Sequence, residues 1–381
     1  MPWRDVGTVD LRMELVTDYR RGFATVTELA ASYGISRRTV YKWIARFERE
    51  GPRGLADQSR RPHGHPHTTP AAAIAALRSA HRRFPQWSAA KLVTWLTRRG
   101  VPAPGRTRAY EILLGDGSHR APASRSGPRF APRVHVLTQP TAPNALWTTD
   151  FKGHFPTGDA RRCYPLTLRD GFSRYVLRCD GLRSESIGAT RPSFARAFAE
   201  YGLPVRMRMD NGRPFTGTGL AHLTQLSVWW LRLGIELERI RPGHPEENGS
   251  HEQFHGELKR HTARPPAATL RAQQRRFDTF CYDYNHERPH DALAGDVPAR
   301  HYRPSARSLP ARLPPLEYPG YFEVRRVATN GLVSWRGRAL FVSEALRGES
   351  IGFEEIDDAV WACWLGDVRL ACFDERQWKW C

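Results

Sequence analysis

The chain has no apolar run of about twenty residues and no signal-peptide-like hydrophobic stretch, so nothing in it reads as a helical membrane span. Cysteine is scarce. The six present (163, 179, 281, 363, 372 and 381) form no C-x-x-C pair and sit mostly in apolar or aromatic settings, as reduced cytosolic thiols would. The histidines at 63, 65, 67 and 81 lack the cysteine partners of a zinc finger and read as solvated side chains without a metal. Acid is also in deficit: 39 Asp and Glu face 58 Lys and Arg, leaving a formal charge of +19 and a polyanionic partner as the leading expectation. Arginine outweighs lysine, which suits bidentate phosphate contacts. Charge alone does not separate nucleic acid from a membrane surface or an acidic protein.

The N-terminal region reads as a helix-turn-helix head over residues 1–50. Leu11, Leu15 and Tyr19 give residues 9–22 an amphipathic helical pattern, and T-V-T-E-L-A-A-S-Y-G-I-S-R-R-T-V-Y-K-W-I follows. Thr25 or Thr27 can cap a second helix, Gly34 supplies the tight turn, and Ser36 caps a third helix with Val40, Ile44 and Phe47 inward. Arg37, Arg38, Tyr41 and Lys42 then stand at the start of the recognition helix, where side chains reach bases and phosphates. Residues 51–70 form a basic linker rich in Gly and Pro. Residues 71–114 form a second helical group, with Ser88 as a cap and Arg106 and Arg108 at the start of its third helix. We expect a second helix-turn-helix there, then another basic linker at 115–143.

Strand and helix patterns alternate next: strands at 145–151, 163–168, 174–179, 205–210 and 235–240, helices near 185–201, 217–232, 250–262 and 267–285. This order predicts three antiparallel strands leading into a mixed α/β sheet of ribonuclease-H type over residues 144–305. Three acids stand out in it. Asp150 ends the β-prone A-L-W-T-T-D run, Asp210 follows P-V-R-M-R-M before the turn pair Asn211-Gly212, and Glu252 lies on a helix opened by Ser250. Helical spacing places Glu252, His255, Gly256 and Lys259 on one face and Phe254 and Leu258 on another. Three carboxylates suit a pair of hard divalent cations, Mg²⁺ or Mn²⁺, which take oxygen ligands and catalyse phosphoryl transfer. Asp170, in a turn before Gly171, reads as structural. Trp229 and Trp230 read as core.

At these residues the chain resembles the DDE superfamily of transposases and retroviral integrases, in particular bacterial insertion-sequence transposases with an integrase core. The resemblance rests on W-T-T-D-F, R-D-G-F-S-R-Y, M-D-N-G, H-P-E-E-N-G-S-H-E-Q-F-H-G-E-L-K and Y-N-H-E-R-P-H, covering roughly residues 140 to 305. It implies that Asp150, Asp210 and Glu252 are the catalytic, metal-holding acids, with His255 and Lys259 placed to contact DNA. Many relatives space the last two acids more closely, which would select Glu246. Glu252 is preferred because it holds the N-G-x-x-E position, and the extra length is assigned to a longer helix after Phe215. Tyr284, Asn285, Arg288 and His290 either support the catalytic helix or contact DNA.

Short β runs with turns at Asn330-Gly331, Arg336-Gly337 and Gly366-Asp367 predict a small SH3-like barrel at 317–381. The expected molecule is thus multidomain: an all-α head, an α/β core and a small all-β end. The resemblance implies a nucleoid-associated cytoplasmic DNA transposase using two Mg²⁺ or Mn²⁺ ions. Its partners would be double-stranded DNA, as terminal inverted repeats and target, and further copies of itself in a synaptic complex. A non-catalytic DNA-binding regulator and a ribonuclease-H-type nuclease are the alternatives.

Overall fold

The computed structural model describes residues 7–58, 68–117, 137–217, 219–241 and 249–381. The chain divides into two compact units, Met1–Thr68 and Thr69–Cys381.

The first unit holds α1 (Thr8–Arg20), α2 (Val26–Ser32) and α3 (Arg37–Glu50), closed by a 3₁₀ turn at Gly51–Leu55. Thr25 caps α2 by accepting from the Glu28 amide while the Glu28 carboxylate takes the Thr25 amide at 2.7 Å, a reciprocal cap that sets where the helix begins. Ser36 caps α3 with its hydroxyl alone, accepting from the Thr39 amide at 3.2 Å. Gly34, with φ of +64°, makes the sharp turn between them. Leu15, Val16, Leu29, Val40, Trp43, Ile44 and Leu55 fill the core. This is the expected helix-turn-helix, with Trp43 an additional core anchor.

In the second unit, α4 (Ala71–Arg83), α5 (Ala89–Arg98) and α6 (Arg106–Gly115) pack around Leu77, Phe84, Trp87, Leu92 and Trp95. Ser88 caps α5. His81 departs from the sequence expectation. It is buried on the inner face of α4 and is no solvated side chain. The histidines at 63, 65 and 67, most of the 51–70 linker and most of the 115–143 linker lie outside the described residues.

The central sheet runs β4 (Val176–Leu182), β3 (Arg162–Asp170), β1 (Leu146–Phe151), β5 (Arg206–Met209) and β6 (Glu236–Arg239), with the short β2 (Phe155–Pro156) beside the start of β3. The first three strands are antiparallel, and β5 and β6 join parallel to β1. On one face lie α7 (Ile187–Tyr201) and α8 (Gln225–Arg232). On the other lie α9 (Gly249–Thr262) and α10 (Leu270–Tyr282), which ends in a π turn over Asp283–Glu287. The predicted long helix at 217–232 is absent. A loop and a 3₁₀ turn at Leu220–His222 precede α8, because Gly217 and Gly219 sit against backbone or side chains that a Cβ would strike and Thr224 caps α8 late. A short α11 (Pro298–His301) follows the core.

The C-terminal strands are β7 (Glu323–Arg326), β8 (Leu332–Trp335), β9 (Arg338–Phe341), β10 (Ser350–Asp357), β11 (Val360–Leu365), β12 (Val368–Asp374) and β13 (Lys379–Trp380). They form an antiparallel sheet, β13-β12-β11-β10-β7, and a separate β8-β9 hairpin. Arg336 and Gly337 both take positive φ at the hairpin tip, as a two-residue turn of that twist requires. Trp335, Phe353, Trp361 and Phe373 fill the space between the two. Among the described residues the strands do not close into one barrel.

Candidate active site

Alternation along the strands decides which side chains share a face. Trp147 and Thr149 are fully buried, as are Met207 and Met209, and Trp147 and both methionines join the aromatic core under α7 and α8. Thr148, Asp150, Arg208 and Asp210 therefore face α9. Thr148 pairs with Arg208 across parallel strands, so two residues later Asp150 and Asp210 stand side by side at neighbouring strand ends.

Each carboxylate has a built surround. The Gly212 amide donates to Asp210 Oδ1 at 3.2 Å, and a Cβ at 212 would come within 2.9 Å of Oδ2, so the glycine keeps that carboxylate uncovered. Asn211 donates to the Ile240 carbonyl at 2.6 Å, tying the turn to the end of β6. Burial pushes the Asp150 carboxyl up to about 7, with the charges of Asp210 and then Glu252 adding in the same direction. Burial raises Asp210 as well. Glu252, exposed in the first turn of α9, is close enough for Asp150 to feel its charge. The result is negative charge concentrated where a proton or a cation must compensate it. Among the described residues, no group of three or more His, Cys, Asp or Glu side chains is placed to hold a metal ion. Glu246, Glu247 and the Ser250 side chain lie outside the described residues.

Beneath Asp150 sits a network that no sequence signal announced. The Thr167 hydroxyl, fully buried on β3, lies 3.0 Å from the Asp150 carbonyl, 2.6 Å from His251 Nε2 and 2.8 Å from His255 Nε2. A carbonyl only accepts, so the single hydroxyl proton goes to Asp150 and both imidazoles donate from Nε2. His251 Nδ1 then accepts from the Thr148 hydroxyl at 3.0 Å, and His255 Nδ1 turns its lone pair towards Asp150 Oδ2, 3.6 Å away. Both rings are neutral. Burial holds His255 down at about 3 and His251 well below the ordinary histidine value.

This arrangement corrects the placing of His255 as a DNA contact: the side chain is 2% exposed and braces Asp150 from below. It borders the buried stripe of α9 (His251, Phe254, Leu258 and Thr262) and is drawn inward by Thr167, while Glu252, Gly256 and Lys259 stay outside. Lys259 is exposed and lines a small recess with Lys152 and His154. Arg37, Arg38 and Lys42 are exposed at the start of α3, and Tyr41 is 59% exposed. Arg106 and Arg108 are exposed at the start of α6, Arg108 paired with Glu111 at 2.9 Å.

The Y-N-H-E-R-P-H run packs against α9 and the start of β4. Tyr284 packs edge-on beneath Phe254 at 5.1 Å, Arg288 pairs with Glu257 of α9, and Asn285 exchanges two hydrogen bonds with Val176 at the start of β4. Asp170 is structural, accepting from the Asn144 and Ser173 amides at 2.7 Å each.

Comparison with known families follows this layout. Matches to the family described as Integrase core domain span residues 140–245 and 233–298. The centre of this chain is thus similar to an integrase core. To either side of the integrase core lie matches to a helix-turn-helix domain (11–63), a homeodomain-like domain (39–113) and the C-terminal domain of IS481 family transposases (322–379). The chain is 30% identical over 160 residues to an uncharacterized 31.7 kDa protein of insertion element IS407 from Burkholderia multivorans, covering 41% of this chain and 54% of that one. It is 26% identical over 230 residues to an uncharacterized 39.2 kDa protein of insertion element IS476 from Xanthomonas euvesicatoria, covering 60% and 63%. The match thus spans roughly half to two thirds of these relatives' length. Solved structures similar to it include the HTLV-2 integrase catalytic core domain in complex with magnesium, at 17% identity and a TM-score of 0.34, covering 43% of this chain and 99% of that one. Another is a simian T-cell lymphotropic virus intasome in complex with a PP2A regulatory subunit, at 18% and 0.39, covering 77% and 97%. Scores this low add nothing to the assignment.

Proposed function

We propose that this chain is an insertion-sequence DNA transposase that cleaves phosphodiesters at element ends and transfers the freed strand to a target. The observation that carries the reading is the pairing of Asp150 and Asp210 at adjacent strand ends with the charge of Glu252 felt at Asp150. All three donors are oxygen, burial raises the proton affinity of Asp150 and Asp210, the charge of Asp210 adds to that of Asp150, and Gly212 leaves Asp210 open, so the donor chemistry suits divalent cations of the Mg²⁺ or Mn²⁺ kind. When bound, two such ions would supply the Lewis acidity that phosphoryl transfer needs.

The protein's own residues have separate tasks. Asp150, Asp210 and Glu252 hold charge at the reacting phosphate. Thr167, His251 and His255 fix the end of β1 and keep two neutral rings, not two cations, under Asp150. Arg37, Arg38, Tyr41 and Lys42 in the first unit, with Arg106 and Arg108 on α6, read duplex DNA at the terminal repeats, and Lys259 holds backbone beside the acids. Because two ends are processed together, the working form is a homo-oligomeric synaptic complex on two DNA ends.

The test uses purified full-length chain and a duplex carrying the ends that flank its reading frame. With Mg²⁺ or Mn²⁺ the expected products are a cleaved end with a free 3′-hydroxyl and that end joined to a target plasmid. Chelation or Glu252→Gln removes both products, while binding to the ends persists. Cleavage at the wild-type level by Glu252→Gln would transfer the third role to Glu246 or Glu247. No metal-dependent cleavage by the wild-type chain on any such end would end the catalytic reading.

A further inference from the structure

A cleft of about 760 Å³ opens between the α4–α5 junction and the region where α9 runs into α10. Five exposed arginines line it: Arg83, Arg260, Arg264, Arg275 and Arg276. Asp283 is the one acidic side chain in the lining, and the sixth lining arginine, Arg288, is already neutralised by Glu257. The five carry little internal compensation. Arg260 and Arg276 donate to the carbonyls of Gly256 and Pro265, at 3.2 and 2.6 Å, which orients them without cancelling charge. Arg83 lies over the Phe84 ring at 5.0 Å, and among the described residues the guanidinium groups of Arg264 and Arg275 have no hydrogen bond or ion pair. Five guanidinium groups converging from three segments repel one another, so the cleft favours a polyanion over an empty or apolar state.

Its position narrows the choice of polyanion. α9 carries Glu252 in its first turn and Arg260 in its last, eight residues on, so the cleft begins about 12 Å along the helix from the acids. Its other wall belongs to the helical group that presents Arg106 and Arg108 on α6. That group is fixed to the integrase core: the Trp95 indole donates to Glu287 at 2.9 Å, Arg99 pairs with the same carboxylate, and Arg98 pairs with Asp296 at 2.5 Å. Both walls are therefore held in place without a ligand.

We propose that this cleft binds the sugar–phosphate backbone of duplex DNA, without regard to base sequence, between the stretch read by the second helical group and the stretch presented to Asp150, Asp210 and Glu252. The proposal rests on the DNA-processing reading above and deepens it by adding a sequence-independent clamp. Guanidinium forks match phosphate oxygens, and contacts of this kind position a duplex without specifying it.

The test is metal-free binding of the full chain to an end-containing duplex and to a scrambled duplex of equal length, by fluorescence anisotropy across about 50 to 200 mM salt. For the double variant Arg264→Glu and Arg275→Glu, affinity for both duplexes should fall by about tenfold or more, and the salt slope by about two. The ratio between the duplexes should stay at its wild-type value. The matching pair Arg264→Lys and Arg275→Lys should keep most of the binding. A charge-reversed chain with wild-type melting and an unchanged salt slope would overturn the proposal, as would an equal loss in the lysine pair. So would a changed oligomer mass with unchanged DNA binding, which would give the cleft to an acidic protein segment. Should charge reversal unfold the chain, Arg264→Gln and Arg275→Gln singly should each lower the slope by about one, and no change in either would be equally decisive. A chain that binds in this way but never cuts leaves the clamp standing and removes only the catalytic reading.

Discussion

The two faces of the central sheet are made from the same strands and could hardly differ more. Towards α7 and α8, Trp147, Leu166, Leu168, Met207 and Met209 meet Phe194, Phe198 and Trp230 in a dry aromatic core. Towards α9, the intervening residues are Thr148, Asp150, Thr167, Arg208 and Asp210, hydrogen-bonded or left with raised proton affinity. The period of two in a strand permits this division: one parity supplies cohesion and the other stores the electrostatic stress that a cationic cofactor would relieve.

The sharpest break between the faces is functional loss set against structural loss. Asp150→Asn or Asp210→Asn should lower metal-dependent DNA cleavage by roughly a thousandfold or more, several kcal/mol of transition-state stabilisation, while metal-free melting holds or rises. Trp230→Ala, on the opposite face, should cost about 3–5 kcal/mol of stability through the cavity it leaves. Cleavage assays and denaturant titrations on the three proteins separate the two outcomes. If Asp150→Asn destabilised the metal-free chain as much as Trp230→Ala did, the division of labour would be wrong.

Proton linkage sharpens the same contrast. Asp150 titrates near 7 when folded, so its stabilising contribution is complete below the ordinary carboxylate value and is lost as pH rises to about 7. The buried histidines act in the opposite sense: His255, held at about 3, and His251, also lowered, contribute stability above 6.5 that is lost as pH falls. Only the difference between wild type and Asp150→Asn isolates the acid. The variant should gain on the wild type by about 2–4 kcal/mol between pH 4 and 7, with no further gain above, after discounting for the part of the side chain that meets solvent. Added Mg²⁺ at pH 7.5 should close that gap by stabilising the wild type alone. A flat difference across this range would mean that Asp150 is not under stress.

A smaller effect is expected away from the sheet. Arg37→Ala with Arg38→Ala should weaken end binding by about tenfold, lower the salt slope by about two, and leave the metal-free melting of the second unit in place. An unchanged slope would remove these residues from the DNA surface.

How much of this was legible in the sequence follows from the range of each interaction. Caps and turns act within four residues, so Thr25, Gly34, Ser36 and Ser88 placed their helices from local chemistry, and strand periodicity put Asp150 and Asp210 at strand ends. His255 was misplaced because helical spacing sets it between the acid's face and the buried stripe, and Thr167, 88 residues away, settles which way it turns. The docking of α5 was equally invisible, since Trp95 finds Glu287 across 192 residues. Thr167 itself carried no signal, because a threonine in a strand is unremarkable until its three partners are known.

Two buried threonines put the comparison of faces to its finest test. Both are fully buried on adjacent antiparallel strands, Thr167 facing α9 and Thr149 facing α7 and α8. Thr167 serves three partners, whereas the Thr149 hydroxyl has none among the described residues. Valine has the same shape without the hydroxyl. At 167 it would strand the Nε2 protons of His251 and His255 and free the Asp150 carbonyl, costing about 1–3 kcal/mol. It should also weaken Mn²⁺ binding and cleavage by about 10–100-fold, as loss of a supporting hydrogen bond beneath a ligand does. Thr167→Ser should restore most of both. At 149 the same change removes an unpaired polar atom from an apolar setting and should be neutral or stabilising by up to about 1 kcal/mol, with cleavage unchanged. Equal losses at the two positions, measured by denaturant titration and Mn²⁺ affinity, would mean that the polarity of the α9 face is incidental and not what holds Asp150 in place.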